Sequence, residues 1–214
     1  MTRSNGDAVC EGWDFTPGIV SVWADWSGRA TVWRRTPSGL VREDARFRPW
    51  ALVDELSSAL ALRATSTTPM SYRELAGEGS LRFLIQADEG RVLRALRERG
   101  KEHVLLLPPE EQYLVATGRT YFRDITFDDL RRLQFDLETT GLDAARDRIF
   151  LIAVRRSNGH VETLESQSNG NRDEAELIRR LIAVIAEDDP DVIENHNLHG
   201  FDLPFLARRA RVLG

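Results

Sequence analysis

The sequence predicts a two-part α/β protein (α+β overall), with a β-rich N-terminal domain ahead of a mixed α/β layer. Three observations predict it. The first half holds short runs of β-forming residues punctuated by Gly-containing turns. The second half reads as three strands, a helix, a strand and a helix, the order of a mixed α/β layer. The chain's 214 residues suffice for one large core or two small ones. Composition, 42% hydrophobic and 29% charged, is that of a globular chain and excludes collagen-like, disordered and disulfide-scaffold classes. No stretch approaches the roughly 20 apolar residues that span a bilayer, and the polar start MTRSNGDAVC offers no secretory signal. Cys10 is the only cysteine, which excludes an internal disulfide and a Cys-built zinc site and fits a reducing cytoplasm.

The elements follow in order. Residues 1–15 read as a frayed tail. GIVSVWAD, the turn WSGR and ATVWRR form a hairpin. Arg48–Val53 is a further strand, Leu56–Leu62 is ambiguous between helix and strand, and 63–70 is a loop. SYREL and SLRFLIQ flank a turn from Gly77 to Gly79 and form a second hairpin. Asp88 precedes a helix carrying Val92, Leu93, Leu96 and Arg97, stopped by Gly100. HVLLLP is a short buried strand, and Pro109–Thr117 a helix ended by Gly118. A boundary near residue 127 separates domain 16–126 from domain 127–214. In the second, LQFDLETTGLD is a strand entering a turn, and IFLIAVRR and VETLE pair around Ser157-Asn158-Gly159-His160. Asn171 and Glu174 have capping-box spacing, and the helix after them places Leu177, Ile178, Leu181, Ile182 and Ile185 on one face. Asp188-Asp189-Pro190 ends it, DVIEN is a short strand, and FDLPFLARRARVLG is a helix with Pro in its first turn.

The net charge of −5 is unevenly placed. Residues 1–120 hold 16 Lys+Arg and 16 Asp+Glu, and residues 121–214 hold 13 and 18, so the acidic excess lies in the second part. Of 29 cationic residues 28 are Arg, which suits bidentate phosphate contacts, although a GC-rich coding bias explains it more simply. Trp13, Trp23, Trp26, Trp33 and Trp50 all fall in the first 50 positions. Beside Arg34, Arg35, Arg46 and Arg48 they could stack on single-stranded nucleic acid, but filling a small core, with one Trp at the hairpin tip, is the plainer expectation.

Asp136 and Glu138, two apart on a strand, leave the same face about 7 Å apart at the Cα atoms. Two like charges there repel unless a cation lies between them. The crossover through the hairpin and helix should return VIEN parallel to the first strand, hanging Asp202 over the C-terminal end of Asp136's strand. Three carboxylates in such a place suit a hard divalent cation, Mg²⁺ or Mn²⁺. A plain helix-start acid is the alternative for Asp202. His196 and His199 flank this cluster, with no third ligand to complete a His triad.

These residues carry a resemblance. FDLETTGLD is similar to the first, and NLHGFDLPFL to the second, exonuclease motif of the 3′→5′ proofreading domain of family B DNA polymerases, the two acids Asp136 and Asp202 lying 66 residues apart. EQYLVATGRTYFRDITFDDL resembles the segment leading into the first motif, and GIVSVWADWSGRATVWRR with FRPW resembles the family's β-rich N-terminal domain. The resemblance implies an RNase H-like (DEDD-type) exonuclease domain over 127–214, incomplete because the fold needs a further strand and helix. It implies that Asp136, Glu138 and Asp202 ligate Mg²⁺ or Mn²⁺ in a two-metal site hydrolysing DNA from the 3′ end. It also implies that Asn197 and Phe201 lie near the 3′-terminal nucleotide, with Thr139, Thr140 and Leu142 along it. The implied partners are the 3′ end of single-stranded DNA and the remainder of a longer polymerase or nuclease chain. No oligomer and no membrane is implied, and the expected location is a bacterial or archaeal cytoplasm or nucleoid.

One departure stands out. The family's site has a fourth carboxylate in a Tyr-x-x-x-Asp motif, and neither Tyr113 nor Tyr121 has an Asp four positions on. The chain by itself is therefore expected to show little exonuclease activity and to expose Leu206 and Leu213 on its last helix. A stand-alone nuclease, and a non-catalytic DNA-binding module using the β-rich domain, remain alternatives.

Overall fold

A computed structural model describes residues 14–99 and 103–214. The chain divides into two compact units, one ending at Ile125 and the other beginning at Thr126. Among the described residues no helix is long and apolar enough to cross a membrane.

The first unit holds two antiparallel sheets. β1 (Ile19–Ala24), β2 (Arg29–Thr36) and β3 (Gly39–Arg46) form a three-stranded meander. The β1–β2 turn needs Gly28, at φ +75°, because a Cβ there would sit 2.2 Å from the Phe47 carbonyl oxygen. β4 (Trp50–Val53), α1 (Ser57–Thr65), β5 (Met70–Glu74), β6 (Phe83–Ala87), α2 (Arg94–Arg99), β7 (Val104–Leu105) and α3 (Pro109–Thr117) follow. The second sheet has the order β5-β6-β4-β7. Ala59 and Leu62 of α1, with Leu93 and Leu96, pack on Ala51, Val53 and Ile85 of its strands. Tyr113 of α3 joins Ile19, Val22, Ala30 and Val32 in a separate core on the meander. Buried Gln112 is fully used: its Oε1 accepts from Trp50 N at 2.8 Å, its carbonyl from Trp50 Nε1 at 3.0 Å, and its Nε2 donates to Leu107 O at 2.7 Å.

The second unit is one four-stranded sheet with the order β10-β9-β8-β11, made of β8 (Arg132–Thr139), β9 (Ile149–Arg155), β10 (Val161–Glu165) and β11 (Val192–Glu194). β8, β9 and β10 are antiparallel neighbours, and β11 runs parallel to β8, pairing Val192, Ile193 and Glu194 with Arg132, Leu133 and Gln134. Between β10 and β11 runs α4 (Asn171–Asp188), and α5 (Leu203–Leu213) ends the chain. β8 alternates cleanly, with Leu133, Phe135 and Leu137 buried and Asp136 and Glu138 exposed. The buried set packs against Leu177, Ile178, Leu181 and Val184 of α4 and Phe205 of α5. Each such fully buried apolar side chain contributes about 1.5–3 kcal/mol.

Several expectations are corrected. The ambiguous run Leu56–Leu62 is helical from Ser57, and the helix runs to Thr65, so only 66–69 is loop. The helix expected from Asp88 begins as a 3-10 turn, Gly90–Leu93, capped by Glu89, whose carboxylate accepts from Arg91 N; the expected stop at Gly100 lies outside the described residues. HVLLLP contributes only Val104 and Leu105 to the sheet. Of the tail 1–15, residues 1–13 lie outside the described residues, and Asp14 is held by Arg119 Nε at 2.7 Å. Nothing in the sequence reading anticipates β3. Trp13 lies outside the described residues, and among the other tryptophans only Trp50 is fully buried, Trp23 being 46% exposed on β1. On α4 Ile182 is 57% exposed and Val184 takes the buried place. Leu206 and Leu213 are half-buried against the core rather than exposed. The capping box is also absent. Gly170 is the N-cap, with no side-chain cap bond, and Asn171 is already helical.

Candidate active site

β11 stops pairing with β8 at Gln134, which leaves the next polar groups on that edge of β8 without a strand neighbour. Side chains take over. Asn195 Nδ2 donates to Phe135 O at 2.6 Å and to Asp136 Oδ1 at 3.2 Å, while Asn195 Oδ1 accepts from Asn197 N at 3.0 Å. Asp202 Oδ1 accepts from Leu137 N at 3.3 Å, the amide between Asp136 and Glu138. Asp202 lies in a π-helical turn, Leu198–Asp202, and is 2% exposed. It stands at the N-cap position of α5, as the helix-start alternative has it, but makes no side-chain cap bond there and turns its carboxylate to β8 instead.

Asp136 and Glu138 point into solvent from the sheet face opposite α4 and α5. A groove of about 550 Å³ lies on that face, lined by Gln134, Asp136, Ala153, Arg155, Asn195 and His196 among others. Asp136, Glu138 and Asp202 have no cationic partner within 4 Å among the described residues. Three unneutralised carboxylates form a hard oxygen donor set of the kind Mg²⁺ and Mn²⁺ take. Among the described residues, no three His, Cys, Asp or Glu side chains are drawn together into a finished metal cage. The structure thus brings Asp202 to the strand between the other two acids without closing all three on one point.

The loop after β8 is braced from within. Thr139 Oγ1 donates to Gly141 O at 2.8 Å, Thr140 N donates to Arg148 O at 2.9 Å, and Thr140 Oγ1 accepts from Arg148 N at 2.9 Å. Gly141 makes room for Asp147, whose carboxylate a Cβ would meet at 2.4 Å and which accepts from Asp143 N at 2.8 Å. Leu142, 84% exposed, crowns the loop. Asn197 is exposed, and the half-buried Phe201 ring lies 5.2 Å from that of Phe205.

A further carboxylate, that of Glu174, anchors this loop instead of capping α4. Glu174 is completely buried. It accepts from Arg209 Nε at 2.7 Å and Nη2 at 2.6 Å, from Ile149 N at 3.0 Å and from Arg148 Nε at 3.3 Å. Arg209 Nη1 also donates to Ala144 O at 3.3 Å, and Arg148 Nη2 to Gly170 O at 2.9 Å. One acid therefore ties α4, α5, the start of β9 and the 140–148 loop. Burial pushes its pKa up, but the hydrogen bonds from Arg209 and Ile149 N outweigh it and hold the carboxyl below its ordinary value.

Comparisons with known proteins point to one family. Residues 116–214 match the family model described as DNA polymerase family B, exonuclease domain. The chain is 28% identical over 179 residues to DNA polymerase 2 of Aeropyrum pernix, an alignment covering 72% of this chain and 22% of that protein. It is 26% identical over 209 residues to a DNA polymerase of Pyrococcus horikoshii, covering 81% of this chain and 16% of the relative. The chain thus spans about a fifth of the length of these relatives. Among solved structures, the family B DNA polymerase of Pyrobaculum calidifontis superposes with a TM-score of 0.66 at 23% identity, over 92% of this chain and 32% of that one. Residues 116–214 are therefore similar to the exonuclease domain of family B DNA polymerases, and the chain shares the fold of the matching region of such a polymerase.

Proposed function

We propose that this chain supplies the metal-binding carboxylates of a 3′→5′ exonuclease acting on the 3′ end of single-stranded DNA, as the N-terminal part of a proofreading DNA polymerase. The single observation that carries the reading is the approach of Asp202, from the second motif, to Leu137 N between Asp136 and Glu138 of the first. Asp136, Glu138 and Asp202 would hold Mg²⁺ or Mn²⁺. When bound, such ions supply an activated water and offset charge on the leaving 3′ oxygen. The protein's own part is positioning. The Thr139 and Thr140 hydroxyls fix the loop that offers exposed Leu142 to the terminal nucleotide. Half-buried Phe201 and exposed Asn197, on the turn that carries Asp202, would lie near the same nucleotide. The sequence offers no Tyr-x-x-x-Asp to aim the water, so the 214-residue chain is expected to trim weakly.

The test uses 3′-labelled single-stranded DNA with Mn²⁺, applied to the chain and to the whole product of its reading frame, each beside Asp136→Ala. Label release by the whole product that disappears in Asp136→Ala supports the reading. Release that survives Asp136→Ala, or none from the whole product, overturns it.

A further inference from the structure

We infer that Asn195 is a positioning residue for the candidate metal site, orienting Asp136 and linking it to Asn197; the inference rests on the exonuclease reading above. Asn195 stands one residue past the last β11 pairing, where the chain leaves the sheet. Its amide has two N–H donors and an acceptor oxygen. One donor goes to Phe135 O, the second to Asp136 Oδ1, and the oxygen receives Asn197 N. An amide fixed at three points on the end of a strand has little rotational freedom left. Through the Phe135 bond it is anchored to β8 itself, so its second donor is aimed by the sheet, not by a mobile stem.

This has a consequence for Asp136. The bond to Oδ1 restrains the carboxylate's rotation about its terminal torsion and leaves Oδ2 without a protein partner among the described residues. A carboxylate held in this way meets a cation with less ordering left to do, and partners of this kind commonly change metal affinity 10–100-fold. The same amide sets the backbone of Asn197, whose carbonyl accepts from Gly200 N at 3.1 Å and Phe201 N at 2.9 Å. One side chain therefore connects an acid of the first motif with the turn that carries Phe201 and Asp202 in the second. A purely structural Asn195 would serve Phe135 O alone, and its link to Asp136 would have no effect on cation binding.

The experiment titrates the 214-residue chain and its Asn195→Ala and Asp136→Asn variants with Mn²⁺, followed by electron paramagnetic resonance, with melting temperatures measured in parallel. Asn195→Ala is expected to weaken Mn²⁺ binding about ten-fold, and Asp136→Asn to abolish binding at this site. In the unmodified chain the Asn195 side-chain NH₂ resonances are expected to shift as Mg²⁺ is added, and to stay still in Asp136→Asn; this holds even if Asn195→Ala fails to fold. A stable Asn195→Ala variant with unchanged Mn²⁺ affinity, or Asn195 resonances indifferent to Mg²⁺, overturns the positioning role and leaves the carboxylate reading standing. Unchanged Mn²⁺ binding in Asp136→Asn overturns the carboxylate reading and this inference with it.

Discussion

Two groups of carboxylates in the second unit are treated in opposite ways. Glu174 is wholly buried and saturated, with two arginines and a backbone amide on its two oxygens. Asp136, Glu138 and Asp202 lie at the end of β8 in the same arginine-rich unit, yet none is paired with a cation. A buried carboxylate requires compensation, and Glu174 has it from the protein. The difference separates an acid that ties elements of the fold together from acids that, on the proposed function, would take a ligand.

The largest effect that should break this contrast is Arg209→Met, which leaves buried Glu174 with only Arg148 Nε at 3.3 Å and Ile149 N. A loss of about 3–5 kcal/mol in denaturant unfolding is expected, with only part of it recovered in Glu174→Met/Arg209→Met, because the apolar pair removes the buried charge but leaves Ile149 N without its acceptor. A loss comparable to that of an ordinary surface substitution would show that the pair does not tie α4 to α5.

Asp202 sharpens the contrast because it belongs partly to both classes. Asp202→Ala leaves Leu137 N unpaired in a buried place and should cost about 1–3 kcal/mol. Asp202→Asn keeps an acceptor for that amide, so it should cost much less while removing the charge. Equal losses in urea for the two variants would mean that the hydrogen bond to Leu137 is not what holds the side chain.

The smallest effect is in the pH dependence. Glu174 has a folded pKa below its unfolded one, so its contribution is complete above the unfolded value of about 4.3 and is lost as pH falls through the lower folded value. In the first unit Asp14 and Asp25 behave alike; burial opposes the shift, but hydrogen bonds from Arg119 to the former and from Ser27 and Arg29 to the latter bring both to about 2. Stability should therefore decline from about pH 4 downward, and Glu174→Met/Arg209→Met should show a shallower decline. An identical acid limb in that double variant would contradict the assigned direction for Glu174.

What could be read from the sequence follows from which signals are local. The alternation of Leu133, Phe135 and Leu137 with Asp136 and Glu138 marks both β8 and its acids. The amphipathic stretch after Asn171 requires a crossover, which brings β11 parallel to β8 and Asp202 to the strand's end. β3 is invisible because GLVREDAR is exposed along nearly all its length and has no apolar face to show. Glu174 is misread because an acid three residues after an Asn has the spacing of a cap, while its partner Arg209 lies 35 residues away. Asn195 carries a signal in principle. A strand of three residues cannot pair with all of β8, so a nearby side chain has to take the next carbonyl.

The account's central claim is that Asp136, Glu138 and Asp202 together hold a divalent cation. Paramagnetic broadening by substoichiometric Mn²⁺, mapped over the backbone amides, tests it most directly. The account predicts that broadening is centred on Leu137, Glu138 and the Phe201–Leu203 turn, and that it disappears in Asp136→Asn/Glu138→Gln/Asp202→Asn. Broadening centred on any other acidic stretch, such as Asp128 and Asp129, or broadening that survives the triple substitution, would contradict it.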